Sequence, residues 1–283
     1  MAADREKARH YWKEHTHNSW IFFLALVVVT LVLAGAGLRL LKPPAVISLL
    51  ITLTVVQIFF FLNSGKLVIW MMGCKELSEK QKERLQPLFV KLVERTGLGY
   101  TPQLFIATGM DVPNAFAFGT GIMGGSGVAV TEPIIELLDD DELSAVLAHE
   151  LGHIRSRDTA LMTMISLSLT LINNGTKQLA NIGRMAVFFA LAIEVASYLP
   201  RIVASGITQL REYAADAYSA YLTGEVQPMI RAFRKMEEWH KSHAKDDNPL
   251  KMLQRRRMDE LLLSHPDMSS RIAMLNQLEE SNS

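Results

Sequence analysis

The sequence predicts a mainly α membrane protein. An N-terminal transmembrane helical hairpin leads into an α+β domain with a small β-sheet, and a second hydrophobic helical hairpin is inserted in that domain. Three observations predict this. The 283 residues are 49% hydrophobic and only 20% charged, with a mean hydropathy of +0.16, which is more apolar than an ordinary soluble domain. Two long uncharged runs lie near the N-terminus, and two shorter apolar runs interrupt the second half. Between them, apolar residues recur at helical spacing in some stretches and alternate in others. Formal net charge is zero, so charge gives no reason to expect a nucleic-acid partner. Cys74 is the single cysteine, which excludes an intramolecular disulfide and fits a reducing compartment.

Residues 1–19 form a polar tail carrying Arg5, Lys7, Arg9 and Lys13, with His10, His15 and His17. A solvated juxtamembrane segment is expected there; metal binding by the histidines is the alternative. Trp20 to Leu38 is 19 residues without a charge, about 28 Å as a helix. Ala45 to Leu62 is a second uncharged run of 18 residues, about 27 Å. Arg39, Lys42, Pro43 and Pro44 make the turn between them, so residues 20–62 read as a transmembrane hairpin. Four Lys/Arg precede it, Lys66, Lys75, Lys80, Lys82 and Arg84 follow it, and two lie in the turn. The positive-inside rule then places both ends of the hairpin in the cytoplasm.

Residues 63–158 read as the first part of the α+β domain. Glu76 to Thr96 is expected as an amphipathic helix with Leu85, Leu88, Phe89, Leu92 and Val93 on its buried face, ended by Gly97 and Gly99. Leu104–Ala107, Val112–Gly119 and Val128–Val130 read as strands. The glycine-rich stretch through Gly121, Gly124, Gly125 and Gly127 lacks G-x-x-x-x-G-K-[ST] and reads as a hairpin turn, not a phosphate loop. Pro133 starts a short helix, Ile134 to Leu138.

The run from Asp139 to Ile154 follows. Its acidic start supplies an N-cap and suits the positive end of a helix dipole. Leu143, Leu147, Leu151 and Ile154 mark an apolar stripe. On another face, His149 and His153 lie about 40° apart and can reach one ion. His149-Glu150-Leu151-Gly152-His153 is the H-E-x-x-H pattern of zinc peptidases.

Residues 159–204 hold Thr159–Ile172, 14 uncharged residues or about 21 Å as a helix, and Met185–Leu199, 15 residues that include Glu194. They form either a second transmembrane hairpin or core helices resting on the membrane face.

Residues 205–283 read as the second part of the domain. Thr208 to Leu222 is a helix rich in small residues, with Gly224 beyond its end. Glu212 and Asp216, four apart, share a face. They are either an exposed acidic pair or partners of the histidine motif. In the second reading His149, His153 and Glu212 make a His₂Glu set for one zinc ion per chain, leaving a position for water. Zinc lowers the pKa of such a water to about 7 and polarises a scissile carbonyl. Glu150 takes the proton, the hydroxide attacks, and Glu150 passes the proton to the leaving amine. Asp216 is placed to accept an N–H bond from a ligand histidine. Asn114 to Phe118 is the candidate sheet edge to which an extended peptide adds; an interior strand is the alternative. The tail is mostly helical and charged, with Arg255, Arg256 and Arg257 on a surface. A turn at His265-Pro266 could bring His265 back toward a cleft.

Taken together, the hydrophobic hairpin, Asn114-Ala115-Phe116-Ala117, the H-E-x-x-H run, the hydrophobic insertion, Arg211-Glu212-Tyr213-Ala214-Ala215-Asp216, and His265-Pro266 with Arg271-Ile272 are carried in order over most of the chain. In this the sequence resembles the HtpX family of membrane-bound zinc metallopeptidases, relatives of the CAAX prenyl endopeptidases within the gluzincin class. The resemblance implies a gluzincin-type domain and a multi-pass protein of the bacterial inner membrane with its active site facing the cytoplasm. It implies a stress-response role in quality control, with unfolded or damaged membrane proteins as substrates and the lipid bilayer as surroundings. It further implies Glu212 as third zinc ligand and Asn114, Ala115, Phe116 and Ala117 in the substrate-binding strand. His265 and Arg271 would lie near the active site, His265 helping to stabilise the oxyanion. The seven-span layout of the prenyl endopeptidases is not matched, since at most four hydrophobic segments are present. Two other readings share the motifs: a non-proteolytic zinc-binding membrane scaffold or chaperone, and a prenyl-peptide processing enzyme.

Overall fold

A computed structural model of the chain describes residues 5–17, 62–120, 125–159, 206–243 and 268–280, with positions 55, 58, 59 and 162. Among the described residues, no helix is long and apolar enough to cross a membrane. The run 20–38, most of 45–62, and nearly all of 159–204 lie outside them, as does His265.

The elements in order are helix α1 (5–17), helix α2 (62–71), strand β1 (Cys74–Glu76), helix α3 (Glu79–Thr96), strands β2 (Gln103–Ala107), β3 (Ala115–Phe118) and β4 (Gly127–Val130), helices α4 (Glu132–Leu137) and α5 (Asp140–Arg155), helix α6 (206–223), helix α7 (Gln227–Ser242) and helix α8 (Met268–Glu280). The sheet runs β1-β2-β4-β3, with β2 and β4 parallel and the other two pairs antiparallel. The edges are β1 and β3.

Strand alternation sorts the side chains between two layers. Leu104, Ile106, Val128 and Val130, with Ala115 and Ala117, join the main core with Leu85 and Phe89 of α3 and Leu147 and Leu151 of α5. Phe105, Ala107, Phe116, Phe118 and Ala129 face the other way, against Val68 and Ile69 of α2. The sheet is thus covered by α3 and α5 on one face and by α2 on the other. The alanines of β3 are short, which lets α5 lie close along this edge strand.

Three expectations are corrected. The helix expected from Glu76 starts at Glu79, because Ser78 closes a capping box with Gln81; Cys74–Glu76 instead pairs with the open edge of β2 as a short polar strand. Of Val112–Gly119 only Ala115–Phe118 is strand, because Asn114 turns its backbone onto Thr131. Residues 5–17, expected to be solvated, form a helix docked on α6. Ala8 is fully buried, the Trp12 ring lies 4.7 Å from that of Tyr218, and Lys7 Nζ donates to the Gln277 carbonyl at 2.6 Å. The other expected helices and strands that fall on described residues hold to within a few residues. Gly97 and Gly224 follow α3 and α6 at φ 65° and 87°, a region that costs other residues strain.

The start of α5 is fixed from two sides. Glu142 N donates to Asp139 Oδ1 at 2.9 Å and Asp139 N to Glu142 Oε2 at 3.1 Å, a reciprocal cap. Glu142 is 1% exposed and also receives Lys235 Nζ at 2.6 Å and Arg231 Nε at 3.3 Å from α7. From α3, Arg84 reaches Asp140 and the carbonyls of Ile135 and Leu138 at 2.7 to 2.9 Å. Replacing Glu142 by Ala leaves the Asp139 cap but removes its reciprocal acceptor and the partner of Arg231 and Lys235, so a loss of about 1–2 kcal/mol is expected in denaturant unfolding, with Glu142→Gln, which keeps an acceptor for Asp139 N, losing less.

Candidate active site

The site is assembled where α5 and α6 cross. A Cβ on Gly152 would stand 3.1 Å from Tyr218 Cδ1 and 3.3 Å from Ala215 Cα, so glycine is what permits this approach. Ser219 Oγ donates to the Ala145 carbonyl at 2.7 Å and locks the pair one step further along. Apart from its first residues α6 is buried on nearly all sides, with Ala214, Ala215, Ala217 and Ala220 at 1% exposure or less. Close passage of the backbones brings Glu212, three residues before Ala215, up beside the imidazoles.

His149, His153 and Glu212 then form one group whose ligand atoms all lie within 4.8 Å of one another. The His149 and His153 Nε2 atoms are 3.1 Å apart; Glu212 Oε2 is 3.6 Å from the first and Oε1 3.5 Å from the second. A tetrahedral zinc ion with N and O ligands at about 2.0–2.2 Å has donor–donor edges of about 3.3–3.6 Å. The two imidazole–carboxylate separations fall in that range, and the 3.1 Å between the imidazole nitrogens is slightly shorter.

Each imidazole is oriented through its other nitrogen. Asp216 Oδ1 lies 2.8 Å from His149 Nδ1, and Asp158 Oδ2 lies 2.8 Å from His153 Nδ1. With Nδ1–H donating to a carboxylate, each Nε2 keeps its lone pair for an ion. The two carboxylates are anchored in turn. Arg271 of α8 holds Asp216 bidentately through Nε and Nη2, both at 2.7 Å, and its Nη1 is 3.2 Å from Glu212 Oε2. The Arg271 guanidinium also caps the Phe233 ring at 4.4 Å. Arg211, next to Glu212, pairs with Asp158 and donates to the Ser156 carbonyl at 3.1 Å.

The charges decide what can bind. Glu150, Glu212, Asp158 and Asp216 are each 7% exposed or less, as are Arg211 and Arg271. With both imidazoles neutral, as metal ligands must be, these four carboxylates and two guanidiniums carry a net charge of two negatives, which one divalent cation would balance. Burial works against a charged His149, but the hydrogen bonds to Asp216 and Glu212 outweigh it and push its pKa up to about 10. Burial also works against the Asp216 carboxylate, and the Arg271 guanidinium nevertheless holds its pKa below the usual range. The donor set and the charge both fit zinc. Metal uptake displaces a proton from His149.

Residues 79–279 match Peptidase family M48. The chain belongs to that family. The M48 match spans every element from α3 to α8, and it makes this chain a metalloendopeptidase. Relatives include the Protease HtpX homolog of Aquifex aeolicus, 31% identical over 264 residues, which cover 82% of this chain and 84% of that protein. The Protease HtpX homolog of Pelotomaculum thermopropionicum is 30% identical over 285 residues, covering 92% and 97%. Among solved structures, S. mikatae Ste24p superposes with a TM-score of 0.55 at 19% identity, covering 90% of this chain and 66% of that one. The M48 domain here thus shares the Ste24p fold: mainly helical, with a small mixed sheet.

Of the residues singled out from the sequence, His149, Glu150, His153, Glu212, Asp216 and Arg271 come together. Asn114, Ala115, Phe116 and Ala117 lie on or beside β3, the edge strand that runs along α5. Two residues have no role assigned from the sequence: Asp158, and Arg211, which is named only as part of the Arg211–Asp216 run. The signal for Asp158 is its place five residues after His153, where Arg157 at φ 58° reverses the chain. Asp158→Asn and Asp216→Asn are each expected to weaken metal binding by about 10- to 100-fold in chelator competition, with the fold intact by circular dichroism. Gly152→Ala should force the helices apart by a few tenths of an ångström, lowering stability by about 1–3 kcal/mol and loosening metal binding.

Proposed function

We propose that this chain is a membrane-anchored zinc endopeptidase acting on unfolded or damaged membrane proteins in quality control at a bacterial inner membrane, with its site facing the cytoplasm. The observation that carries the reading is the meeting of His149 and His153 with Glu212, beside the buried carboxylate of Glu150. The described residues group three donors there, one fewer than a closed structural zinc site uses. Zinc in that position supplies a water acidified to a pKa of about 7 and a Lewis acid for the scissile carbonyl.

The remaining work falls to the chain. Glu150 sits one residue from His149, and its charge acts on Arg271, so it belongs to the same buried cluster without being one of the three donors. It accepts the proton of the attacking water and delivers it to the leaving amine. Arg271 keeps Glu212 and Asp216 in place and restrains the cluster while charge moves. Substrate adds as an extended strand along β3 from Asn114 to Ala117; the edge position of β3 supports this. His265 helps stabilise the oxyanion, a role supported by α8, which starts three residues later and sends Arg271 into the site.

The membrane reading draws on the uncharged runs and on the helical positions next to them. Val55, Ile58, Phe59 and Leu62 are 46–61% exposed, and Trp70 is 80% exposed at the end of α2. An apolar face with a tryptophan at its end suits lipid and the bilayer interface.

Glu150→Gln is expected to abolish casein hydrolysis by the detergent-purified protein, a loss of at least about 100-fold, while retaining one zinc per chain. Glu212→Ala should lose both zinc and activity. A Glu150→Gln protein that cleaves at the wild-type rate sinks the mechanism; stoichiometric zinc without cleavage of any protein favours a scaffold or chaperone.

A further inference from the structure

His153 lies at the end of a path that begins on α1. Trp12 Nε1 donates to Ser156 Oγ at 2.8 Å, and Thr16 Oγ1 is 3.4 Å from the same hydroxyl. The Ser156 carbonyl accepts from Arg211 Nη2 at 3.1 Å. Arg211 pairs with Asp158, and Asp158 accepts from His153 Nδ1 at 2.8 Å. Ser156, Asp158 and Arg211 are 7%, 3% and 2% exposed, so the path runs through the interior.

The turn at Ser156–Asp158 needs such support. Arg157 within it has φ 58°, a conformation an arginine adopts only when its surroundings impose it. The imposing contacts come from two sides: Arg211 of α6, and Trp12 of α1. Trp12 also rests on the Tyr218 ring, the same ring that stands against Gly152 at the helix crossing. Helix α1 therefore touches both the turn that orients one ligand and the crossing that delivers another.

We infer that α1 is a positioning element of the metal centre. Trp12 pins the Ser156–Asp158 turn, and through Asp158 and Arg211 it sets the direction of His153 Nε2. This rests on the reading of the site as a zinc centre. These groups act through the His153 imidazole, so the effect is felt in metal binding before it is felt in turnover.

The test uses the full chain in detergent and Co²⁺ alone as probe. Trp12→Phe keeps an aromatic ring on Tyr218 but removes the indole N–H; Ser156→Ala removes its acceptor. Each is expected to weaken Co²⁺ binding by about 3- to 10-fold, less than loss of a direct histidine partner, and to shift the visible absorption of the bound cobalt. Far-ultraviolet circular dichroism should stay at wild type, and the thermal midpoint of the metal-free protein should fall by only a few degrees, as for loss of one part-buried hydrogen bond. His10→Ala, at a side chain 81% exposed on the same helix, should change neither binding nor spectrum. Unchanged affinity and spectrum in both Trp12→Phe and Ser156→Ala overturn the inference. If Trp12→Phe does not fold, Ser156→Ala alone decides. A wild-type chain that takes up no Co²⁺ removes the zinc reading and this inference with it; wild type that binds, with both variants unaffected, removes only the role of α1.

Discussion

The closeness of α5 and α6 at Gly152 is the constraint on which the rest depends. An imidazole pair on one helix turn is common and inert; it becomes a site only when a third donor arrives from elsewhere. Glu212 has a side chain of three rotatable bonds and can reach only if its backbone passes near. The small faces of the two helices meet that need: Gly152 on one, Ala215 on the other, with Tyr218 packed at the contact. The crossing lies about 60° round the helix from His149, so the contact line runs beside the imidazoles and does not cover them. Larger residues at the crossing would leave both halves of the site folded but apart.

Bringing the donors together buries charge, and the surrounding elements are arranged to offset that. Three of the acidic groups at the centre have described counterparts: Arg271 for Asp216 and Glu212, Arg211 for Asp158, and an imidazole N–H for each of the two aspartates. These pairs come from α5, α6, α8 and the turn after α5. The buried charge therefore cross-links the helical half of the domain in the way an apolar core does elsewhere. A divalent ion held by His149, His153 and Glu212 would complete the balance, and its binding free energy would then also contribute to folding. The guanidinium of Arg271 over the Phe233 ring joins this polar cluster to the apolar core of α7, which excludes water on that side.

Legibility in the sequence followed how local the cause was. Helix α5 could be read because its cap, its apolar stripe and its histidine pair all lie within 16 residues. Strands β2 and β4 showed through alternation, and α6 through its alanines and the glycine after it. What escaped has long-range causes. Strand β1 is three residues with no pattern, and it exists because β2 offers an open edge. Asp158 stands outside every motif, and its role comes from a turn at Arg157 that folds it back on His153. Helix α1 was concealed by its charges: Ala8, Tyr11, Trp12 and His15 do fall on one stripe at helical spacing, but Arg5, Lys7, Arg9 and Lys13 outweighed them in composition. Arg271 could be placed near the site only by resemblance, since its partner Asp216 is 55 residues away.

Connectivity gives these observations a shared direction. Helix α1 ends at residue 17, just before the uncharged run that starts at Trp20; α2 carries on from the run that ends at Leu62. Helix α5 and its turn lead into the second apolar stretch, and α6 emerges from it. So of the ends of the apolar runs, the four that adjoin described elements lie at the histidine helix, at the helix of Glu212, at the helix that holds the Ser156 turn, and at the helix beneath the sheet. On the proposed reading, in which the apolar stretches are anchors and unfolded segments are taken at a membrane surface, this connectivity places the metal centre and the β3 edge a short reach of chain from those anchors.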